Sequence, residues 1–250
     1  GRGSELQPSP VKVAAADLGL SVVHSVDELL TLEIDLGVVV AFGQIIKPHV
    51  LSVIPMVNLH FSLLPRWRGA APVERALLAG DTVTGVCLME MEEGLDTGGV
   101  YERREVPIRP GVSADDLRAE LVDVGTEMLV RRLRDGLGVA EPQQGETVYA
   151  AKLVAADHRI DWVAGPEIVE RVVRVGGAWT TFRGKRLKVL AVTVVGGESG
   201  DELDGETVGG VRLDVVQPEG KGPMSFADFA RGARPLPGER LGGPTGAGPT

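Results

Sequence analysis

The sequence contains one cysteine and four histidines among its 250 residues, and both counts narrow the chemistry available to it. A single thiol excludes an internal disulfide and fits a reducing cytoplasm. This residue, Cys87, lies within an apolar run that predicts a strand, so we interpret it as a core residue and not as a nucleophile. The histidines are His24, His49, His60 and His158. Their spacing is not that of metal ligands, so we expect no metal site.

Long hydrophobic runs are absent as well. The apolar run at residues 36–42 is far shorter than the roughly 18 residues that a membrane-spanning helix needs. The first ten residues contain Arg2 and Glu5 but lack the apolar core of a signal peptide. With 43% hydrophobic and 24% charged residues, the composition is that of a globular protein, which we expect in the cytoplasm and away from membranes.

Positive charge is scarce overall, since the formal net charge is −9, and this balance argues mildly against nucleic acid as a partner. Residues 168–190 are the exception, because six basic side chains there are opposed by a single acid, Glu170. The basic residues are Arg171, Arg174, Arg183, Lys185, Arg186 and Lys188. A solvated face is the commoner explanation of such a segment, and a surface that contacts phosphates is the alternative.

The first 140 residues alternate predicted strands with predicted helices. Strands are predicted at residues 22–23, 36–42, 56–61, 83–91 and 99–108, and helices at 10–18, 72–79 and 113–134. The strand at 36–42 is apolar throughout, which is typical of a strand buried on both faces of a parallel sheet. The alternation predicts an α/β fold with a doubly wound, mostly parallel, Rossmann-like sheet. Such sheets bind ligands beyond the carboxyl ends of their strands.

A change in pattern divides the chain into two domains, the first of which spans residues 1–140. Periodicity stops in residues 141–156, which we interpret as a linker. Between residues 157 and 240, short β-rich runs with glycine turns follow one helix at 166–175, and they predict a small OB-like β-barrel. The glycine- and proline-rich residues 241–250 are predicted to form a disordered tail.

Candidate site residues cluster around one strand and turn, residues 56–72. Side chains two apart on a strand share a face, so Asn58 and His60 are expected to project side by side. The turn that follows reads SLLPRWRGAAP from residue 62 to residue 72. A second strand, residues 83–91, leads into a glycine-bounded turn that contains Asp96. An Asn-x-His pair alone is more often structural than catalytic, so the two stretches are informative only together.

Together these two stretches closely resemble the signatures of the folate-dependent formyltransferases. The run at residues 62–72 and the C-terminal half resemble, within that family, the enzymes that act on methionyl-tRNA, and the likeness covers nearly the whole chain. The resemblance implies a formyltransferase sheet followed by an OB-like domain that contacts tRNA. It also implies transfer of a formyl group from 10-formyltetrahydrofolate, without a metal, to the α-amino group of methionine on initiator tRNA.

The resemblance also assigns roles to individual residues. Asn58 and His60 are implied as donors to the oxyanion of a tetrahedral intermediate, and Asp96 as the carboxylate that helps to relay the amine proton. The residues implied to border the folate are Ser62, Leu63, Leu64 and Pro65, together with Phe42, Gly43 and Gln44. The residues implied to contact tRNA are Arg2, in a loop that resembles the family's basic loop, and Arg183, Lys185, Arg186 and Lys188.

One departure from the family keeps other functions open. The family carries a strand, a helix and a strand ahead of the loop with which this sequence starts, and the missing first strand would lie inside the sheet. One alternative is therefore a non-catalytic remnant that binds folate or RNA. A second alternative, independent of this departure, is another formyltransferase or a hydrolase that uses the same folate with a sugar nucleotide or with water. We expect a monomer with no obligatory protein partner.

Overall fold

The computed structural model describes residues 8–236 and 238–243. Arg2 and most of the predicted tail, residues 244–250, lie outside this range. Helix α1 (Pro10–Asp17) begins as predicted, because Ser9 caps it by accepting a hydrogen bond from the backbone N–H of Lys12. Residues 22–23 do not form the predicted strand; they have no regular structure and precede a 3-10 helix at Val26–Thr31.

The N-terminal part alternates strands and helices close to the predicted bounds. Its strands are β1 (Gly37–Val40), β2 (Met56–His60), β3 (Arg68–Gly69), β4 (Val83–Glu90) and β5 (Val100–Pro107). Its further helices are α2 (Pro48–Leu51), α3 (Pro72–Ala79) and α4 (Ala114–Asp135). Ser113 caps α4, and Gly80 ends α3 in the left-handed conformation with a φ of 79°.

The main sheet has the strand order β1-β2-β4-β5. Its first pair, β1 with β2, is parallel, whereas β2–β4 and β4–β5 are antiparallel, so the α/β class is confirmed and the described sheet is mixed. Val38 and Val40 of the edge strand β1 are 41% and 45% exposed. The prediction that this strand is buried on both faces is wrong, because α4 packs over β4 and β5 and leaves this face of β1 open.

Both faces of the strand β4 are packed. On one face, Val57 of β2 and Leu88 of β4 form a core with Leu117 and Leu121 of α4. The residues of a smaller cluster on the opposite face are Leu64, Cys87, Met89 and Val100. Since Leu64 belongs to the turn after β2, that turn folds back onto the sheet. Its burial anchors the candidate site to the hydrophobic core.

Residues 141–150, predicted as part of a linker, lie along the N-terminal part, and we call them the strap. Within the strap, β6 (Tyr149–Ala150) pairs in parallel with β3, and Glu141 exchanges two backbone hydrogen bonds with Val100 of β5. Beyond the strap, Asp157 accepts two hydrogen bonds from Arg75 of α3, at 3.1 and 3.0 Å. The strap is therefore held by hydrogen bonds at both of its ends.

The C-terminal part is a small β domain, as predicted, and its sheet is antiparallel. Its helices are α5 (Pro166–Val175) and α6 (Phe226–Ala233). Its strands are β7 (Trp179–Phe182), β8 (Lys185–Val194), β9 (Leu203–Asp204), β10 (Thr207–Val208), β11 (Val211–Pro218) and β12 (Met224–Ser225). They form an open path β7-β8-β11-β10-β9, with β12 paired to β11. Among the described helices, none is long and apolar enough to span a bilayer.

Candidate active site

The first candidate side chains lie near the carboxyl end of β2. Side chains alternate between the faces of this strand, and Asn58 and His60 project on the same side as Met56, away from α4. His60 is buried, with 5% of its surface exposed, and its Nε2–H donates to the backbone carbonyl of Trp67 at 2.8 Å. A carbonyl oxygen can only accept, so this contact requires a proton on Nε2. It leaves Nδ1 facing Asp96.

Asp96 approaches His60 from the loop after β4. Its Oδ2 lies 3.6 Å from Nδ1 of His60 and accepts a hydrogen bond from the backbone N–H of Gly69 at 2.8 Å. At 3.6 Å the two side chains interact electrostatically without a hydrogen bond. The backbone of Asp96 has a φ of 52°, in the left-handed region that aspartate tolerates better than most residues. The structure thus brings these two predicted residues together.

Asn58 completes the group from the same strand as His60. Its side chain is half-buried, and within residues 8–236 and 238–243 its amide makes no hydrogen bond. An uncommitted amide on the same strand face as an imidazole offers two N–H donors to a ligand. Together the three groups can bind a polar substrate, donate to a developing negative charge and accept a proton.

The turn after β2 is fixed by a hydrogen bond and by burial of its side chains. The buried hydroxyl of Ser62 donates to the carbonyl of Arg66 at 2.6 Å, and Leu64 and Pro65 are buried, with a cis peptide bond between them. Of the four residues in this turn that the resemblance places beside the folate, three therefore have side chains turned into the protein. Only Leu63 is partly exposed. The turn can offer a ligand its backbone edge and the apolar Leu63 side chain.

An ion cluster holds this turn from the outer side. Asp81 accepts hydrogen bonds from Nε and Nη2 of Arg66, at 2.9 and 2.7 Å, and from Nε1 of Trp67 at 2.7 Å. Burial acts to raise the pKa of Asp81, but the hydrogen bonds and the positive charge outweigh it, so this pKa lies below its ordinary value. The hydrogen bond to Asp81 raises the pKa of Arg66. Because the Trp67 carbonyl holds His60, the cluster positions the histidine indirectly.

The other segment expected to border the folate follows β1. Parallel pairing of β1 with β2 places the carboxyl ends of both strands at one edge of the sheet. Phe42, Gly43 and Gln44 are exposed there, and a cleft of about 450 Å³ lies between Phe42 and Gln44 on one side and Ser25 and Asp27 on the other. Its size is within the roughly 300–1,000 Å³ of ligand sites, and its wall combines an aromatic ring with polar groups.

One contributor to the site was not predicted. Gln143, in the strap, donates from Nε2 to the backbone carbonyls of Asp96 and Gly98, at 2.8 Å each. Its Oε1 accepts two hydrogen bonds from Arg68, at 3.1 and 2.7 Å. A glutamine in a stretch without periodicity gives no signal in the sequence. Only the fold shows that it contacts the loop between β4 and β5, residues 91–99, which we call the Asp96 loop.

The residues expected to contact tRNA fall into separate groups. Arg183 already has hydrogen-bond and ion-pair partners within the protein. Its guanidinium pairs with Glu239 and donates to the carbonyls of Ala233 and Arg234. These contacts tie β7 and its turn to the C-terminal segment. They argue against the expected phosphate contact, because the charge of Arg183 is already matched by a carboxylate.

Lys185, Arg186 and Lys188 are exposed on β8, and one of them, Arg186, lies over an aromatic ring. Arg186 lies 4.5 Å and Arg159 lies 5.8 Å from the centroid of the Trp179 ring, and Lys188 is opposite Trp179 in the sheet register. In the part of the chain that the structure describes, none of these four cations pairs with a carboxylate. We call these five residues the basic patch.

Two other kinds of chemistry were considered from the sequence. Burial raises the pKa of the Cys87 thiol to about 11, and the side chain is fully buried, which confirms the prediction of a core residue. A group of three or more potential metal ligands does not occur within the described ranges.

Comparison with known protein families finds a match for each part of the chain. Residues 13–133 match the family described as formyl transferase, and residues 152–234 match the formyl transferase C-terminal domain. A methionyl-tRNA formyltransferase of Jannaschia sp. (strain CCS1) is 42% identical to this chain, over 96% of this chain and 87% of the relative.

Two solved structures share the fold. An N-formyltransferase from Helicobacter canadensis, solved with folinic acid and dTDP-3-aminofucose, superposes with a TM-score of 0.63 at 18% identity, over 86% of this chain and 85% of its own. A methionyl-tRNA formyltransferase from Clostridium thermocellum superposes with a TM-score of 0.57 at 18% identity, over 74% of this chain and 78% of its own. On the sequence matches above, the chain belongs to the formyl transferase family, among the methionyl-tRNA formyltransferases.

Proposed function

We propose that the protein transfers the formyl group of 10-formyltetrahydrofolate to the α-amino group of methionine on initiator tRNA, in preparation for translation initiation. The observation that carries this proposal is the uncommitted Asn58 amide beside the His60–Asp96 pair. Relatives named methionyl-tRNA formyltransferase, at 39–42% identity over nearly the whole chain, support the choice of acceptor. The folinic acid in a structure that shares the fold supports a folate donor.

The reaction is an acyl transfer. The amine nitrogen attacks the formyl carbon, the carbonyl oxygen becomes an oxyanion, and the bond from that carbon to N10 of the folate then breaks. One proton leaves the amine and one reaches N10. No covalent intermediate with the enzyme is needed, and the buried Cys87 thiol, with its pKa raised to about 11, is unsuited to form one. The side chains have to position the reactants, stabilise the oxyanion and move the proton.

The three polar side chains share the last two of these tasks. Asn58 donates to the oxyanion, since its amide has no other partner within the described residues. His60 keeps its Nε2–H on the Trp67 carbonyl, so it acts through Nδ1, as a second donor when that nitrogen is protonated. Asp96 lies 3.6 Å from that nitrogen. Its Oδ2 is held by Gly69, so its other oxygen accepts the amine proton, directly or through one water.

The folate fits the edge where β1 and β2 end. The cleft of about 450 Å³ beside Phe42 and Gln44 opens at this edge, and Gly43 adds no side chain there. Leu63 supplies an apolar contact, and the backbone of the turn supplies hydrogen-bonding groups. Ser62, Leu64 and Pro65 act by fixing the shape of the turn. When bound, the folate supplies the formyl group, and these residues orient it toward Asn58.

The basic patch is the part of the described chain best suited to contact tRNA. Its cations have no carboxylate partner in the described residues, in a protein whose net charge is −9. Cations attract backbone phosphates, and a ring such as that of Trp179 can stack on an unpaired base. Arg2 keeps its proposed role in the tRNA contact, although it lies outside the described residues.

The choice of acceptor is tested by formyl transfer from 10-formyltetrahydrofolate to three acceptors offered separately. These are methionyl initiator tRNA, an amino sugar nucleotide such as dTDP-3-aminofucose, and water alone. We expect formylmethionyl-tRNA and no comparable product from the sugar. Transfer to the sugar nucleotide alone, or hydrolysis of the folate without transfer, would refute the proposed acceptor. Folate binding without turnover of any acceptor would indicate a non-catalytic protein.

The basic patch is tested by Arg186→Ala and Lys188→Ala. Each change is expected to raise the KM for tRNA by about 3- to 10-fold and to reduce the slope of log affinity against log salt by about 1, because one phosphate contact is lost. The KM for the folate stays the same. Arg231→Ala is the control, since this exposed arginine already pairs with a carboxylate, that of Asp228 in the same helix α6. Equal KM values for tRNA in all three variants would contradict the assignment.

A further inference from the structure

We propose that Gln143 is a positioning residue for the transfer reaction, which holds the Asp96 loop from the strap. The catalytic part of this inference rests on the proposed function, whereas the structural part rests on the contacts alone. A segment that connects two domains thereby contributes to the active site. The strap does so through a neutral side chain that touches no reacting atom.

The Gln143 amide uses its whole hydrogen-bonding capacity at this point. Both of its N–H groups donate to backbone carbonyls, those of Asp96 and Gly98, at 2.8 Å each. Its oxygen accepts from Nε and Nη2 of Arg68, at 3.1 and 2.7 Å. Because a guanidinium can only donate, Arg68 fixes which end of the amide is oxygen and directs the nitrogen to the loop. The geometry is specific to an amide.

The Asp96 loop depends on these contacts because little else holds it. Residues 92–95 are exposed, and Asp96 itself has the uncommon φ of 52°. The remaining hydrogen bond to the Asp96 carboxylate comes from the Gly69 backbone N–H. Without the Gln143 amide, two carbonyls of the loop lose their partners, and the loop has few packing contacts to keep its position.

The strap is well placed to fix the loop, because it is itself tied to both sides of the site. Glu141 exchanges backbone hydrogen bonds with Val100, at 2.8 and 3.0 Å. Val100 is the first residue of β5, the strand that follows the Asp96 loop. Val148 accepts from the N–H of Arg68 at 2.9 Å and donates to the carbonyl of Pro65 at 3.3 Å, in the turn after β2. Gln143 lies between these anchors and joins the turn to the loop.

The first test is kinetic. Gln143→Ala is expected to lower kcat for formyl transfer by about 10- to 100-fold, because a shift of about 1 Å in a catalytic group can cost about 100-fold. KM values for both substrates are expected to stay within about 3-fold. Gln143→Glu fails equally, because a carboxylate cannot donate to the two carbonyls. Gln144→Ala is the control, since the neighbouring glutamine is exposed on the same strap. An unchanged kcat for Gln143→Ala would overturn the inference.

A double-mutant cycle separates positioning from general damage. If Gln143 acts through Asp96, Gln143→Ala costs less than about 3-fold when Asp96 is already alanine. A full loss in that background would show that the residue acts elsewhere and would refute the role.

Proteolysis tests the contact without relying on activity. Cleavage by a glutamate-specific protease after the exposed Glu93, followed by mass spectrometry, reports opening of the loop. We expect faster cleavage in Gln143→Ala than in Gln144→Ala, and equal rates would overturn the structural part. Faster cleavage in a protein whose wild type formylates no tRNA would refute the proposed function and still support the contact.

Discussion

Asp81→Asn tests whether the ion cluster outside the turn positions His60. The change removes a negative charge and one of the two oxygens that accept from Arg66 and Trp67. The Arg66 side chain is 46% exposed and that of Asp81 17%, so water screens part of the attraction. We therefore expect a loss of roughly 1–2 kcal/mol in the free energy of unfolding, below the roughly 3–5 kcal/mol of a fully buried pair. For a chain of this size, this corresponds to about 2–8 °C in Tm.

The pH dependence follows from the lowered pKa of Asp81. A carboxyl group with a lower pKa in the folded state stabilises the protein above its unfolded pKa, and this stabilisation is lost as the pH falls through the folded pKa. Here the ordinary value is 3.8. The difference in stability between wild type and Asp81→Asn is therefore constant near neutral pH and narrows below about pH 4.

The assay is urea unfolding at pH 7, 5, 4 and 3.5, with formyl transfer measured at pH 7. Asp115→Asn is the control, because this acid is 94% exposed in its pair with Arg118. The variant is also expected to lower kcat, since Trp67 carries the carbonyl that holds His60. A stability difference that stays the same down to pH 3.5, or a variant as stable as wild type, would refute the reasoning.

Two further predictions concern single positions. Gly69→Ala is expected to lower the free energy of unfolding by about 1–3 kcal/mol and to lower kcat, because Gly69 has a φ of 116° and an added methyl group would lie 2.9 Å from the Ala150 carbonyl oxygen. Urea unfolding measures the stability and formyl transfer measures kcat. A fully active and stable variant would contradict this prediction. Cys87 is expected to resist iodoacetamide at pH 8 in the native state, because burial raises its pKa to about 11, and to react once urea unfolds the protein. Mass spectrometry checks this, and rapid alkylation of the folded protein would contradict it.

Much of the local structure could be predicted, because its signals are local. Helices α3 (Pro72–Ala79) and α5 (Pro166–Val175) form at the predicted residues. A proline at the first turn, a serine cap or a bounding glycine acts within a few residues, so it can be read from the chain. The shared face of Asn58 and His60 follows in the same way from the period of a strand.

The features that escaped prediction depend on contacts between distant residues. Strand β1 lies at the edge of the described sheet, and its exposure depends on which distant elements pair with it and cover it. Its apolar sequence alone resembles that of a fully buried strand. Arg183 meets Glu239 across 56 positions of the sequence, and Gln143 meets Asp96 across 47. No pattern within either segment indicates the other. The resemblance implied that Asp96 lies near His60, and the structure supplies the separation of 3.6 Å.

The most direct test of the central claim is single-turnover formyl transfer to methionyl initiator tRNA by wild type and Asn58→Ala. The Asn58 amide makes no hydrogen bond within the described residues, so we expect Asn58→Ala to fold like wild type. Urea unfolding checks this. The account predicts a loss of about 100- to 1,000-fold in the rate of transfer, as for removal of one oxyanion donor, with unchanged folate affinity. A rate close to that of wild type would contradict it.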